Sequence, residues 1–456
     1  METINEHVLG LIGRQQTSGE IDYVDAESVL HRGANAASIQ IHSKADLFQL
    51  SELYSPGTIA FTAGFGSMWQ LDVNKKWVPI VLEEGDPGED IYSDLSVIAD
   101  IIRHNSIETN KKCYPIGDQL IIPWKDMDNE NHNTDETAYQ VAWDIVDHNN
   151  VELQDGSIVP GMFLQMHLCS AYGVQFSNKQ AFYHCETALA AGTYKVTFAV
   201  KYSNAIPANS IVEFTLSQSV PANGRLHVDT AALVSSYAAD GAVVEQVQGV
   251  VTSSSSATSL GTVGTTASGS LNRLDRIQYG SNRWSTSAIR QYLNKSGNNW
   301  FAIAENFDIR PDQYANKGFM TGFDEDFLNV LKPVKVTTAL NTVDGYSAAS
   351  EDTYDTFFLP SLQEMNITPQ LADVEGSVFP YWRERLDLEG YAFTYPTVYD
   401  AFKIPAINNA SPQFVRLRSA YRGHAFSTWS VLSAGGVYGN GTADGANRFS
   451  PVCVIC

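Results

Sequence analysis

The sequence predicts an α+β chain rich in β-structure, and three observations carry that prediction. Charged residues make up only 18% of the 456 positions, while Gly, Ser, Thr, Asn and aromatics are abundant, a mixture suited to strands and turns. From Cys113 to Leu216, β-branched and aromatic runs recur between Gly and Pro residues. Helical spacing is confined to a few short segments. At 44% hydrophobic residues, the chain can supply cores for roughly two to four domains.

The N-terminal residues 1–35 are polar and read as weakly helical, with Ile4, Val8 and Leu11 at helical spacing. Alone they cannot bury a core, so they are expected to pair with copies of themselves or with a larger body. Residues 36–82 read as a small β-meander. Pro56-Gly57 signals a turn, Thr58 to Thr62 alternates as a strand does, and Ser67–Leu71 and Trp77–Ile80 follow, separated by Asn74-Lys75. Asp86, Pro87 and Glu89 then have the spacing of a helix start. Ile91, Leu95, Ile98 and Ile102 form one narrow apolar stripe, which can pack on a neighbouring domain or on copies of itself. Because the flanking segments read as connectors, self-association is expected, and with it a homotrimer held together by residues 1–110.

Strands are predicted at Gln119–Pro123, Ala142–Val146, Met162–His167, Tyr194–Val200 and Val212–Leu216. Residues 229–270, with Ser253–Ser256 and a Gly/Thr/Ser run, lack apolar periodicity and are expected to form an exposed, flexible loop. Arg283–Leu293 reads as a helix, and Asp324–Val330 as a short helix or turn. Residues from Phe414 to Cys456 read as short strands joined by Gly-containing turns.

Composition excludes several classes of function. A formal charge of −22 opposes phosphate backbones, and no Lys/Arg stripe offsets it, so no nucleic-acid partner is expected. No apolar run is long enough to span a membrane, and Met1 to Ile12 does not read as a signal peptide. Synthesis in a cytoplasm and a soluble product are expected. The five cysteines, an odd and sparse set, argue against a disulfide scaffold. Cys453 and Cys456 form a lone C-x-x-C that reads as two buried thiols in a terminal strand. The acidic run from Asp126 to Glu136 resembles a hard-cation loop, but Asn131 and Thr137 stand where Gly and Glu are needed, so a solvated loop is expected. No cofactor, metal or catalytic residue is predicted. Gly-x-Ser-x-Gly, phosphate-loop, dinucleotide and His-Glu-x-x-His patterns do not occur, and His424/Ser427 and His184/Cys185 are weak candidates for dyads.

The C-terminal segment has the composition of a binding surface. Arg418, Arg422, Gly423, Ala425, Trp429 and Val431 read as scaffold. Between and beyond them lie His424, Phe426, Ser427, Ser430, Tyr438, Asn440, Thr442, Asp444, Asn447 and Phe449, the candidate ligand-binding residues. Aromatics supply contact area with few rotors, and small polar residues supply adjustable hydrogen bonds. These ten side chains are expected to be accessible on one surface, above a buried Trp429, Val431 and Val452.

The run from Arg276 to Asn294 (R-I-Q-Y-G-S-N-R-W-S-T-S-A-I-R-Q-Y-L-N) resembles a signature found in phage and prophage proteins. The resemblance continues through Pro115-Ile-Gly, Val159–Gln165, Phe319–Phe323, Val334–Thr342, Glu351–Ser361, Leu417–Ala420 and the ending Ser450–Cys456, covering about residues 110–456. Members of this set resemble the C-type-lectin-like, formylglycine-generating-enzyme fold, which also includes the variable proteins of diversity-generating retroelements. The resemblance implies that Arg418, Arg422, Gly423, Trp429 and Arg448 are scaffold and that the interleaved residues form a binding face. The sulfatase-activating branch needs a reactive cysteine pair near a groove. Cys453 and Cys456 do not match such a pair, so that activity is not expected. Pro56–Phe65 with Met68–Leu71 is similar, over a shorter stretch, to the attachment region of phage head-fibre or decoration proteins.

The resulting expectation is a β-rich α+β chain in which small N-terminal β/helical attachment modules precede a C-type-lectin-like domain. Residues 1–35 would be an anchoring or oligomerising segment, 36–82 an attachment module and 83–110 a helical connector. Residues 111–456 would be the lectin-like domain, with a β-rich insertion at about 158–228 and the flexible loop at about 229–270. Functionally, the expectation is a non-enzymatic bacteriophage virion surface protein, either head fibre, decoration or receptor-binding. Its partners would be capsid or tail proteins at one end and a host-surface or mucosal glycan or protein at the other. An enzyme on the same fold and a bacterial surface adhesin are the alternatives.

Overall fold

The computed structural model describes short strands within 3–41, residues 58–62, 68–71 and 76–79, and then 95–126, 137–201, 206–229, 232–237, 243–244, 249–263, 273–315, 317–392 and 397–456. The architecture is β-rich with few, short helices. Residues 1–35, expected to be weakly helical, instead contain four short strands, Thr3–Ile4, Gly13–Gln15, Ile21–Val24 and Leu30–Ala34, paired in sequence as antiparallel neighbours. Ile21, Tyr23 and Val24 are β-branched or aromatic, and that local preference outweighs the helical spacing of the sparse apolar residues before them. The meander at 36–82 is present as Ile59–Thr62, Met68–Leu71 and Trp77–Pro79, with Ser38–Ile41 added parallel to the first of these strands.

A five-stranded antiparallel sheet forms the centre of the larger body, in the order Phe357–Phe358, Val452–Ile455, Ile158–Met166, Thr137–Glu152, Gln119–Asp126. The C-terminal strand therefore pairs on both sides. That position explains the unbroken apolar run Val452-Cys-Val-Ile, every residue of which is fully buried. The long strand Thr137–Glu152 carries a bulge between Ile145 and Asp147, and Ile145 and Val146 are consequently both buried. Trp143 packs on Phe323, Phe327 and Phe357 at 5.9–6.1 Å, while the next residue, Asp144, points to the opposite face, towards Tyr381.

The apolar stripe expected to drive self-association is already covered within one chain. The helix Leu95–His104 buries Ile98, Ala99, Ile101 and Ile102 in the main core, and Arg103 Nη2 donates to the Cys456 carbonyl at 2.7 Å. Asp86–Glu89 and Ile91 lie outside the described residues. An Ile98→Val substitution should lower stability by about 0.5–1.5 kcal/mol, read from a denaturant midpoint, and leave the sedimentation coefficient unchanged. A change in assembly without a change in stability would return the helix to an intermolecular role.

The strand Ile158–Met166 belongs to the central sheet, so the insertion starts later than residue 158. The insertion has its own core, with Phe182, Val196, Phe198, Phe214 and Leu226 packed against Leu274 and Ile277. The segment 229–270, expected to be a flexible loop, contributes the strands Ala232–Tyr237, Val243–Val244, Gly249–Thr252 and Thr258–Val263. The last two are the outer strands of a four-stranded sheet, and most of their side chains are exposed. Strands that bury so little of either face need no apolar alternation, which is why their sequence does not announce them. The acidic run 127–136 lies outside the described residues.

Two of the quoted motifs interlock. The helix Ala288–Leu293 is shorter than the predicted span because Ser287 caps it, accepting from the Arg290 N–H at 3.3 Å. An unforeseen helix, Arg273–Tyr279, precedes it and ends at Gly280. There φ is +81°, and a Cβ would stand 2.5 Å from the Ser177 carbonyl oxygen, so only glycine fits. Trp284 Nε1 and Arg290 Nε donate to the two oxygens of Asp355 at 3.0 and 2.6 Å, and Arg283 Nε donates to Glu351 at 2.9 Å. Asn294 donates to the Phe357 carbonyl and accepts from the Thr356 N–H. The Arg276–Asn294 motif is thus a clamp on the Glu351–Phe357 motif, and its residues are spent on scaffolding.

Candidate functional site

The C-terminal three-stranded sheet is built from Val415–Ala420, Ser427–Val431 and Val437–Thr442. All residues of the first two strands are buried, so these two strands are covered on both faces. The loop between them, residues 421–426, is fixed from below by Asn282, which is fully buried. Its Nδ2 donates to the carbonyls of His424 and Ser427, both at 2.8 Å, and Asn341 donates to its Oδ1 at 2.9 Å. Thr342 N and Arg422 Nε tie the same loop to its neighbours: Thr342 donates to the Arg422 carbonyl at 2.8 Å, and Arg422 to the Leu340 carbonyl at 3.0 Å.

This support holds five rings in a row. Tyr279 lies 4.7 Å from Phe426, Phe426 stacks on His424 at 5.0 Å and 6°, and His424 lies 4.5 Å from Tyr421. Tyr421 in turn lies 5.5 Å from Trp429. Tyr279 is 37% exposed, the middle three rings are half-buried, and Trp429 is buried at the inner end with its Nε1 donating to Gln370 at 3.2 Å. Such spacing suits offset stacking of rings on one another and, at the exposed edges, on a planar or apolar ligand face. Gly439 closes the row from beneath: a Cβ there would stand 2.6 Å from Tyr421 and 3.0 Å from Trp429. A Gly439→Ala variant should therefore displace those rings and cost about 1–3 kcal/mol, measurable by thermal unfolding. A neutral result would mean that the ladder is loose.

The ten residues expected on one surface are divided by the fold. His424 and Phe426 are in the ladder. Tyr438 (44% exposed) and Asn440 point away from it, because the alternating Gly439 faces Tyr421 and Trp429. Thr442, Asp444 and Asn447 are half-buried, and their backbones are occupied: the Thr442 carbonyl accepts from Arg416, Asp444 N donates to the Tyr279 carbonyl, and Asn447 pairs with Val174. Ser427, Ser430 and Phe449 are 0%, 1% and 1% exposed and cannot contact a ligand in this fold. Ser427 and Ser430 sit on a strand with no solvent face, and Phe449 joins Tyr292 and Phe319 in the main core at 5.9 and 5.8 Å. Trp429, Val431 and Val452 are buried as expected. Of the scaffold residues, Arg418 is buried, whereas Arg422 and Arg448 are half-buried and Gly423 is exposed. Tyr279 and Tyr421 belong to the ladder without being legible as site residues in the sequence. Their only signal is an aromatic beside a Gly-Ser or Arg-Gly turn.

The candidate dyads do not assemble an accessible nucleophile. His424 Nδ1 lies 3.0 Å from Ser427 Oγ, but that hydroxyl is sealed inside the sheet. Cys185 is buried, and burial pushes its thiol up to about 11. It pushes Cys113 and Cys169 up to about 12. Cys453 and Cys456 are buried, as expected, and Cys453 is also raised well above its ordinary value by burial. A disulfide-exchange reagent at pH 8 should thus react far more slowly with the native chain than with the urea-unfolded one, since the thiolate is the reactive species. Equal rates would contradict the burial.

Residues 263–456 match the family described as a domain of unknown function (DUF6273). That span includes both interlocked motifs, the ladder and the terminal strand. No curated protein and no solved structure matches the chain.

Proposed function

We propose that this chain is a non-enzymatic virion surface protein of a bacteriophage, whose C-terminal region is a C-type-lectin-like display domain that attaches to a surface partner through the ladder Tyr279–Phe426–His424–Tyr421. The observation that carries the binding role is that row of half-exposed rings, fixed by the buried Asn282 beside two fully buried strands. A rigid aromatic row gives contact area at little entropic cost. The resemblance of residues 110–456 to phage and prophage proteins supports the virion assignment, and the similarity of Pro56–Leu71 to head-fibre attachment regions supports an N-terminal anchor.

The test has two parts. Mass spectrometry of purified phage particles should find the chain at structural-protein abundance. Binding of the purified chain to host cells should fall sharply in Phe426→Ala and Tyr279→Ala while melting temperatures stay close to the parent's. Absence from particles would overturn the virion assignment, and unchanged attachment would overturn the ladder.

A further inference from the structure

A second built site lies far from the ladder in sequence, on the face of the central sheet opposite Trp143. It is a cleft of about 50 Å³, room for a few water-sized groups, with a polar floor and a partly apolar wall. Its floor is a relay of side chains from four separate segments. Asp144, on the long central strand, accepts from His167 Nδ1 at 2.8 Å, from Gln119 Nε2 at 2.8 Å and from the Tyr381 hydroxyl at 2.6 Å. Arg385 Nη1 donates to that same Tyr381 hydroxyl at 2.8 Å, and its guanidinium lies over the Tyr381 ring at 5.2 Å. Lys403 also lines it, and Trp382 and Ile404 supply the apolar wall.

Each polar group has a defined role in this arrangement. Burial pushes the Asp144 carboxyl upward, but the bonds from His167, Tyr381 and Gln119 outweigh it and hold the group below its ordinary value. Asp144 therefore accepts from His167 Nδ1, which leaves Nε2 as the ring nitrogen turned to a ligand. The His167 side chain is 35% exposed. The Arg385 guanidinium has only a neutral hydroxyl as its side-chain partner among the described residues, in a chain of net charge −22. Among the same residues, Lys403 is paired only with the exposed Asp400, at 2.7 Å. One imidazole and two cations thus border one small cavity with an apolar wall.

We propose that this cleft binds a small hydroxy-carboxylate, its hydroxyl hydrogen-bonded to His167 Nε2 and its carboxylate accepting from Arg385 and Lys403. An inorganic anion would leave the Trp382/Ile404 wall unused and would offer His167 no carbon-borne hydroxyl. A simple carboxylate would leave Nε2 unpaired. The inference is independent of the ladder and of what the ladder binds.

The experiment is calorimetric titration of the full chain with lactate, propionate, lactamide and inorganic phosphate. Lactate should bind with a millimolar dissociation constant, and propionate and lactamide should each bind about tenfold more weakly. His167→Phe should erase the preference for lactate over propionate, and Arg385→Gln the preference for lactate over lactamide. Arg385 is exposed, so its variant keeps the test valid if His167→Phe unfolds. The proposal is overturned if lactate does not bind up to about 50 mM, if phosphate binds as well as lactate, or if Arg385→Gln retains the full preference.

Discussion

Replacing Arg418 by Met should destabilise the chain by about 3–5 kcal/mol, because it strands two buried carboxylates. Arg418 is fully buried on the strand Val415–Ala420. Its guanidinium donates to both oxygens of Glu364, at 2.8 Å to Oε1, and to the carbonyls of Leu359 at 2.8 Å and Glu375 at 3.2 Å. The Glu375 carboxylate accepts from Ser419 Oγ at 2.6 Å and Ala339 N at 3.0 Å. Burial raises the Glu375 carboxyl above its ordinary value, and Arg418 is the largest influence pulling it back. Without the guanidinium, both acids must stay charged in a low-dielectric core or take up protons. The double variant Arg418→Met/Glu364→Gln should lose less than the sum of the two single changes, since the pair is in direct contact. Urea titrations of the four chains measure both quantities. A loss below about 1 kcal/mol for Arg418→Met would show that water reaches this cluster.

How much of this is legible in the sequence depends on how local each cause is. The strands Gln119–Asp126, Thr137–Glu152 and Ser210–Leu216 lie where β-branched and aromatic runs predict them, because their pattern reflects burial of the strand itself. The stripe Leu95/Ile98/Ile102 is visible, but its partner is not: an apolar face states that something covers it, and Ile158–Met166 with Glu325–Val330 is the cover. The C-terminal surface is half-legible for a related reason. Alternation along Ser427-Thr-Trp-Ser-Val separates two faces, yet it cannot say that both are covered, so Ser427 and Ser430 look outward from sequence alone. The ladder joins Tyr279 to the loop 421–426 through folding alone. The cleft is more extreme, since Asp144, His167 and Tyr381 share no motif and meet only because the central strand turns Asp144 away from Trp143.

Phe449→Ala should cost about 3–5 kcal/mol, the range for truncating a core aromatic, although its sequence context reads as a binding surface. Phe449 lies against Tyr292 and Phe319, its N–H donates to Ser170 Oγ at 3.2 Å, and the residues around it leave no solvent path. Trp429→Ala should fall in the same range, with the added loss of the ring that ends the ladder and of its bond to Gln370. Tyr438→Ala, nearly half exposed on an outward-facing strand position, should change stability by less than about 0.5 kcal/mol. The three variants, compared by denaturant midpoint and by attachment to host cells, separate scaffold from surface. Phe449→Ala and Trp429→Ala would lose attachment only as they lose structure, and restoring structure by lowering temperature would restore it for Phe449→Ala. If instead Phe449→Ala kept its midpoint and lost attachment, the aromatic would be surface-borne, and the strand Val452–Ile455 beside it could not be buried on both faces.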